Sequence, residues 1–85
     1  MKVQLHKNFI KQYKKWPNIQ KKIDERLALF RVNPFDKILN NHGLAGKYSG
    51  CRSINITGDY RAVFELIDNN TVRFIDIDTH SNLYG

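Results

Sequence analysis

The 85-residue sequence contains one cysteine, two prolines, one tryptophan and one methionine, and it has no long apolar run. With Cys51 as its only cysteine, the chain cannot form an internal disulfide, so nothing in it indicates an oxidising compartment. No stretch approaches the roughly 20 apolar residues of a membrane helix, and the first residues lack the apolar segment of a secretion signal. These absences predict a cytoplasmic protein without a membrane partner, in which Cys51 is a small core residue.

The length and composition are those of one folded domain. The sequence is 41% hydrophobic and 12% aromatic, which is too apolar for a disordered chain. Single domains run from about 50 to 250 residues, so residues 1–85 are predicted to form one domain. A chain this short has a compact core and little room for a deep substrate cavity.

Positive charge is concentrated in the first part of the chain. Residues 1–50 carry eleven Lys or Arg and three Asp or Glu, which gives a net charge of +8. Residues 51–85 carry three Arg and five Asp or Glu, which gives a net charge of −2. A basic surface attracts polyanions, with nucleic acid as the first candidate and an acidic protein as the second. A surface that is merely well solvated has a similar composition, so charge alone does not decide between these interpretations.

Two helices are predicted in the first part of the chain. Asn8 is expected to cap the first helix, and Pro17 ends it and suits the first turn of the second. The predicted buried positions are Phe9, Tyr13 and Trp16 in the first helix and Ile19, Ile23, Leu27 and Phe30 in the second. Two helices with almost no connecting loop predict a helical hairpin. A weaker alternation at Val3 and Leu5 indicates a short strand before it.

Alternating residues after position 50 predict three strands, at 51–57, 60–67 and 72–79. Gly58-Asp59 is typical of a two-residue hairpin turn, and residues 40–50 are predicted to form a loop with at most a short strand. Helices followed by antiparallel strands predict an α+β fold. We therefore expect an N-terminal helical hairpin packed on one face of a small, mainly antiparallel sheet.

Several polar side chains are predicted to gather on the open face of this sheet. If Ile75 and Ile77 face the helices, Asp76, Asp78 and His80 face the other way, because successive strand residues alternate. The other candidates are Asp59 at the hairpin tip, Arg61 and Arg52 on neighbouring strands, His42 on a glycine-flanked loop and Tyr84 near the C-terminus.

These residue types suit RNA cleavage without a metal, in which the 2′-OH of the RNA attacks the adjacent phosphate. Histidine can remove or supply a proton near neutral pH, since its unperturbed pKa is about 6.5. Arginine can stabilise charge on the phosphoryl oxygens through its rigid set of donors. The spacing of the residues does not by itself show that they converge.

Each candidate also has a purely structural interpretation. His80 could be a polar residue at a strand end, and Asp59 is of a type common in turns. Arg52 and Arg61 could pair with acidic residues across the sheet. The acidic and histidine side chains near the end of the last strand could bind a metal, but a flat strand lacks the enclosing loop of a tight site. We therefore expect no metal and no cofactor.

The order of the elements and several short motifs resemble the RelE/ParE toxin superfamily. The motifs are Asn33-Pro34, Asn41-His42-Gly43-Leu44, Gly50-Cys51-Arg52, Gly58-Asp59-Tyr60-Arg61 and the ending Asp78-Thr79-His80-Ser81-Asn82-Leu83-Tyr84-Gly85. The branch that the sequence resembles most is the YafQ-type mRNA interferases of type II toxin-antitoxin systems, which end in a similar Gly-Thr-His…Leu-Phe-Gly segment. The resemblance spans nearly the whole chain, and the ending and the Asp-Tyr-Arg turn are its most specific parts.

The resemblance implies catalytic roles for five residues. His80 matches the C-terminal catalytic histidine, His42 matches a loop histidine used in the YafQ-type branch, and Asp59 matches an acidic residue at the same hairpin. Tyr84 stands where the superfamily has an aromatic residue that stacks on or orients the cleaved nucleotide. Arg61 matches an arginine that contacts the scissile phosphate.

Three further basic residues are expected to bind RNA, namely Arg52, Lys47 and Arg73, with Arg52 as a weaker match to the superfamily. Two positions depart from the pattern. Asn55 stands where YafQ-type toxins carry another histidine, and Asp76 stands where many relatives place an arginine. Because a carboxylate at Asp76 would repel phosphate, either a neighbouring arginine offsets it or the activity is weak or absent.

The function implied by the resemblance is that of a toxin that cleaves mRNA on the ribosome. Its expected partners are the ribosome with its mRNA and a cognate antitoxin, through which the complex could bind operator DNA. Two alternatives stay open, a gyrase inhibitor without an acid–base site, as in the ParE branch, and a decayed toxin that only binds its antitoxin. Asn55 and Asp76 favour these alternatives, whereas His42 together with His80 favours the nuclease.

Overall fold

The computed structural model describes residues 1–84, apart from the side chain of Tyr84. Three 3-10 turns lie at Pro17–Ile19, Lys37–Leu39 and Gly46–Tyr48. The helices and strands are β1 (Lys2–Leu5), α1 (Lys7–Lys15), α2 (Gln20–Val32), β2 (His42–Gly43), β3 (Arg52–Asn55), β4 (Tyr60–Asp68), β5 (Thr71–Thr79) and α3 (His80–Tyr84). The predicted α+β class and the three strands after position 50 are confirmed. Every described helix is too short or too polar to cross a membrane.

The strands form one mixed sheet in the order β1-β5-β4-β3-β2. β1 lies parallel to β5, and each of the other neighbouring pairs is antiparallel. The expected N-terminal helical hairpin is not confirmed in that form, because a strand precedes the two helices and joins the sheet beside β5. The short alternation at Val3 and Leu5 was the only sequence signal for this strand, and its partner lies about 70 residues further along the chain.

The first helix begins two positions earlier than predicted. His6, and not Asn8, caps α1, since the Nδ1 atom of His6 accepts a hydrogen bond of 3.0 Å from the backbone N–H of Asn8. Asn8 lies inside the helix, and its side-chain amide donates to the carbonyl of Ile75 at 2.8 Å. The predicted boundary at Pro17 is confirmed, because this proline begins the 3-10 turn between α1 and α2.

The core lies between the helices and one face of the sheet. The four predicted positions of the second helix, Ile19, Ile23, Leu27 and Phe30, are at most 8% exposed. Phe30 packs edge-on against Phe64 and Phe74, with ring centroids 5.0 and 5.2 Å apart. The apolar residues that alternate along β3, β4 and β5 therefore face the helices, and the intervening residues lie on the open face.

A β-bulge interrupts β5 at Ile75. Val63 pairs with Asp76 and Phe64 pairs with Phe74, so Ile75 is an extra residue on this strand. The side chain of Asn8 bonds the carbonyl of Ile75, which gives this group a partner. The bulge changes the predicted alternation, because Phe74 and Ile77 both face the core. Asp76 and Asp78 lie on the open face, as expected.

Candidate functional site

The connection between β3 and β4 presents Asp59 at the end of the sheet. The hydroxyl of Thr57 accepts hydrogen bonds from the backbone N–H groups of Asp59 and Tyr60, at 3.3 and 3.2 Å. The predicted Gly58-Asp59 turn belongs to a longer connection, residues 56–59, because β3 ends at Asn55 and β4 begins at Tyr60. Asp59 is exposed at its tip.

Arg61 holds this connection in place. One terminal nitrogen of its guanidinium, Nη1, lies 3.1, 3.0 and 3.2 Å from the carbonyl oxygens of Thr57, Gly58 and Tyr60. Arg61 lies opposite Asp78 in the sheet, but these hydrogen bonds direct it to the turn that carries Asp59. A guanidinium has five N–H donors, so it can brace the turn with one nitrogen and offer other donors to a phosphate.

His80 begins helix α3 and does not continue strand β5. Thr79 caps this helix, since its hydroxyl accepts from the backbone N–H of Asn82 at 3.2 Å. The carboxylate of Asp78 accepts from the N–H of Thr79 at 2.8 Å and from the side chain of Asn82 at 3.0 Å. The prediction that His80 shares the alternation of the acidic residues of β5 is therefore wrong, because the strand ends at Thr79.

Asp59 and His80 lie on one cleft. The backbone N–H of His80 donates to the carbonyl of Asp59 at 2.7 Å, which joins the start of α3 to the hairpin tip. The cleft has a volume of about 310 Å³, and Tyr60, Thr79 and Ser81 complete its lining. A carboxylate, an imidazole and hydroxyl groups thus border one accessible space, which suits proton transfer on a bound substrate.

The end of α1 approaches this cleft from the helical side. The ring of Trp16 packs edge-on against Tyr60, with centroids 5.0 Å apart, and Nζ of Lys15 lies 5.1 Å from the centre of the Trp16 ring. Lys15 is thus linked to the lining residue Tyr60 through one intervening ring, and a cation at this end of the sheet favours the approach of a polyanion. Tyr60 and Lys15 were not among the predicted site residues, although Tyr60 belongs to the Asp-Tyr-Arg motif.

Tyr48 and Asp76 form a contact across the open face that no pattern in the sequence predicts. His42, Ser53, Val63 and Asp76 lie in one row, each opposite the next on adjacent strands. The hydroxyl of Tyr48 donates to Oδ2 of Asp76 at 2.9 Å. Burial, followed by the hydrogen bond and the charge of Asp76, raises the pKa of the Tyr48 phenol to about 12, so this phenol is protonated at neutral pH.

The structure does not bring His42 next to His80. His42 is on β2, three strands away from β5, and strands about 4.8 Å apart place it roughly 14 Å from that strand. Its Nδ1 atom lies 2.7 Å from the carbonyl of Asn40. Since a carbonyl only accepts, Nδ1 carries the proton and Nε2 is the basic nitrogen of the neutral ring.

Arg52 lies on the opposite side of the sheet from Arg61. Arg52 pairs with the core residue Phe64, whereas Arg61 pairs with Asn55, which lies on the open face. Its Nε donates to the side chain of Asn41 at 2.7 Å, and its guanidinium lies 5.7 Å from the centre of the Phe35 ring. The expectation that it shares one exposed surface with the other candidates is therefore wrong.

The remaining basic candidates lie at separate places on the open face. Arg73 contacts Glu65 at 3.5 Å and the side chain of Gln4 at 3.2 Å, towards the β1 edge. Lys47 belongs to the loop before β3, and its Nζ lies 5.3 Å from the centre of the Tyr48 ring. Neither residue lines the cleft of Asp59 and His80.

Three other predictions concern Cys51, Tyr84 and metal binding. Burial raises the pKa of the Cys51 thiol, with a smaller effect of Glu65, so this partly buried residue is a weak nucleophile. The expected role of Tyr84 depends on a side chain that lies outside the described residues. Within residues 1–84, no cluster of three His, Cys, Asp or Glu side chains is arranged to hold a metal ion.

Comparison with solved structures places this fold among small bacterial toxins. The chain superposes on YafQ from E. coli strain BL21(DE3) with a TM-score of 0.81 at 20% identity, covering 98% of this chain and 97% of that one. It superposes on the YoeB/ParE toxin from Agrobacterium tumefaciens with a TM-score of 0.75 at 21% identity, covering 94% of this chain and 99% of that one. It superposes on a chain of the E. coli DinJ-YafQ toxin-antitoxin complex with a TM-score of 0.79 at 20% identity, covering 98% of this chain and 96% of that one.

The family follows from the sequence match. A model of the family described as "Bacterial toxin of type II toxin-antitoxin system, YafQ" matches residues 1–85. A comparison with curated proteins gives no match. The chain therefore belongs to the YafQ family of type II toxins, as its resemblance to the RelE/ParE superfamily predicted.

Proposed function

We propose that this toxin is an endoribonuclease that cleaves mRNA on the ribosome, through attack of the RNA 2′-OH on the adjacent phosphate without help from a metal. The observation that carries the proposal is the cleft shared by Asp59 and His80, with Arg61 bonded to the turn beside it. Such a reaction needs a base for the 2′-OH, an acid for the leaving 5′-oxygen and a cation at the phosphate. These three residues supply one group of each kind.

The geometry favours Asp59 as the base and His80 as the acid. Both residues border the same space and are joined by a backbone hydrogen bond of 2.7 Å, so we place the scissile phosphate in this cleft. An imidazolium can protonate the 5′-oxygen as the bond to phosphorus breaks. His42 lies across the sheet and would contact a flanking nucleotide.

Basic residues around the cleft support binding to RNA on the ribosome. Lys15 contacts Trp16, whose ring packs on the lining residue Tyr60, while Lys47 and Arg73 lie on the open face. The cleft is shallow, so we propose that the ribosome presents the mRNA and supplies much of the binding surface. Such a reaction would place the toxin in the cytoplasm.

A cognate antitoxin is the proposed protein partner. A groove of about 350 Å³ runs between α1 and α2, and its lining is mostly apolar: Leu5, Phe9, Ile10, Tyr13 and Leu27, with Lys14 and Asp24. Helix α1 carries four lysines and no acid. An amphipathic segment with apolar residues towards the groove and acidic residues towards the lysines fits this surface. A complex of YafQ with DinJ supports this partner class, and operator DNA would be bound through the antitoxin.

The proposal is tested by the chemistry of the products. The purified toxin is added to ribosomes that translate a defined mRNA, and the same mRNA without ribosomes is the control substrate. We expect cleavage only on the ribosome, with fragments that end in a 2′,3′-cyclic phosphate or 3′-phosphate and 5′-hydroxyl. Fragments with a 5′-phosphate would contradict attack by the 2′-OH. Intact mRNA with inhibited gyrase would instead support the ParE-like alternative.

A further inference from the structure

Asp76 is an acidic residue on the face that we propose for RNA, and phosphate would be repelled by its carboxylate. Neither Arg61 nor Arg73 forms a described ion pair with Asp76. The described bonds of Arg61 go to the hairpin turn, and those of Arg73 go to Glu65 and Gln4. The contacts of Asp76 are different. Oδ1 accepts from the N–H of Ile77, and Oδ2 accepts from the hydroxyl of Tyr48, both at 2.9 Å.

Tyr48 reaches Asp76 from the loop of residues 44–51, which joins β2 to β3. The backbone N–H of Cys51 donates to the carbonyl of Tyr48 at 2.9 Å, so Tyr48 starts from the β3 side of the sheet. Because β4 lies between β3 and β5, the side chain must cross over β4 to reach Asp76. Val63 is opposite Asp76 on β4 and is 0% exposed although it faces away from the helices, as expected if it is covered from this side.

The loop that Tyr48 fastens carries residues of the proposed RNA surface. The N–H of Leu44 donates to the carbonyl of Cys51 at 2.9 Å and closes the loop. Lys47 is next to Tyr48 and contacts its ring, and His42 lies on the short strand directly before the loop. A contact that fixes Tyr48 therefore also limits the movement of Lys47 and of the strand that holds His42.

We infer that Asp76 is a positioning residue, which acts through Tyr48 to hold the loop of residues 44–51 over the sheet so that Lys47 and His42 meet the RNA. This inference rests on the proposed function. It gives Asp76 a place in RNA binding that does not require contact with the phosphate. The carboxylate is turned towards a phenol and a backbone N–H, and both hydrogen bonds offset its negative charge.

The first test measures the loop in the free protein by amide hydrogen exchange. In Asp76→Ala and in Tyr48→Phe, we expect the amides of Leu44 and Cys51 to exchange about tenfold faster or more, as for the loss of one hydrogen bond to a charged group. Asp76→Asn should keep native protection, because an amide can donate to the Tyr48 oxygen while it accepts from Ile77. Glu65→Ala, which removes another carboxylate from the same face, is the matched control and should keep native protection.

The second test measures cleavage of mRNA on the ribosome by the same variants. We expect Asp76→Ala and Tyr48→Phe to raise KM about tenfold with kcat within about twofold of the native value, since the contact positions binding residues and not the reacting groups. The double variant should be no worse than either single one, because both remove the same contact. Asp76→Asn should retain at least half of the native kcat/KM.

Three results would overturn the inference. Native exchange rates in Asp76→Ala would show that the contact does not hold the loop. A gain in kcat/KM in Asp76→Ala would show that the carboxylate only opposes RNA, and a loss in Asp76→Asn equal to that in Asp76→Ala would show that its charge is what matters. If the native toxin cleaves no RNA, the proposed function fails, while the exchange measurement still decides whether Asp76 holds the loop.

Discussion

Several polar side chains near the cleft bond to backbone groups and hold the segments that carry the candidate residues. Arg61 bonds three carbonyls of the hairpin connection, and Asp78 bonds both the backbone and a side chain at the start of α3. Asp59 and His80 therefore lie on segments with defined positions, although both residues are exposed. At this scale, rigid backbone support compensates for the shallowness of the cleft.

The raised pKa of Tyr48 predicts how stability depends on pH. Because the phenol pKa is about 12 in the folded protein and about 10 when unperturbed, the folded state favours the protonated phenol. This contribution is complete below pH 10 and is lost as the pH rises from 10 towards 12. We expect the native protein to exceed Tyr48→Phe in unfolding free energy by about 1 kcal/mol at neutral pH.

Urea unfolding of both proteins over a series of pH values measures this difference. The difference should shrink steadily above pH 10. A difference that stays constant across the series, or that grows with pH, would be incompatible with a phenol whose pKa is raised by folding.

Among the elements, the short helix α3 matters most because it begins with His80. A helix of five residues has little stability of its own, so it depends on the cap from Thr79 and on the bonds of Asp78 to Thr79 and Asn82. The bond from His80 to Asp59 then fixes the first residue of the helix against the hairpin. These contacts make α3 and the β3–β4 connection one unit.

Removal of the cap should therefore lower activity through the position of His80. We expect Thr79→Ala to lower kcat about tenfold and to increase exchange of the Asn82 amide, since an N-cap contributes about 1 kcal/mol. Thr79→Ser keeps the hydroxyl and is the matched control. A Thr79→Ala variant with native kcat and native exchange at Asn82 would show that the cap does not position the histidine.

Part of this arrangement could be predicted from the sequence, and particular residues show why the rest could not. The buried face of α2 and the open-face positions of Asp76 and Asp78 followed from periodicity and were correct. Arg52 alternates in phase with the buried Ile54, so the same periodicity places it on the helical side, and its predicted position on the open face was wrong. Periodicity was informative wherever the strand was regular.

The errors arise where a specific side-chain contact overrides periodicity. The bulge at Ile75 depends on Asn8, which is distant in sequence, and the end of β5 depends on a cap that competes with strand extension. The contact between Tyr48 and Asp76 joins a glycine-flanked loop to a strand that is not its neighbour. Such contacts depend on the assembled sheet and leave no spacing signal in the chain.

For the whole molecule, the separation of charge along the sequence supports the proposed binding of RNA. The first 50 residues carry a net charge of +8, and Lys15 at the end of α1 is linked to the cleft residue Tyr60 through the ring of Trp16. The acidic residues of the second part are largely bonded within the sheet and α3. Under the proposed function, the helices supply the long-range attraction of RNA, and the residues at the end of the sheet supply the chemistry.

This separation predicts the salt dependence of RNA binding. The affinity of an inactive His80→Ala toxin for single-stranded RNA should fall with salt, and Lys15→Ala should reduce the logarithmic slope by about 0.7, the value for one phosphate contact. Lys2→Ala is the control, because Lys2 pairs with Thr71 at the end of β5 remote from the cleft. Equal slopes for all three proteins would contradict a role for Lys15 in binding phosphate.

Mapping of mRNA 5′ ends after induction of the toxin in bacteria shows whether the cleft of Asp59 and His80 cleaves mRNA in the cell. The native toxin and a His6→Ala control, which alters a helix cap far from the cleft, should arrest growth and produce new ends within translated codons. His80→Ala should produce neither, while it remains folded by circular dichroism. Growth arrest by the native toxin with intact mRNA, or cleavage that persists in His80→Ala, would contradict the account.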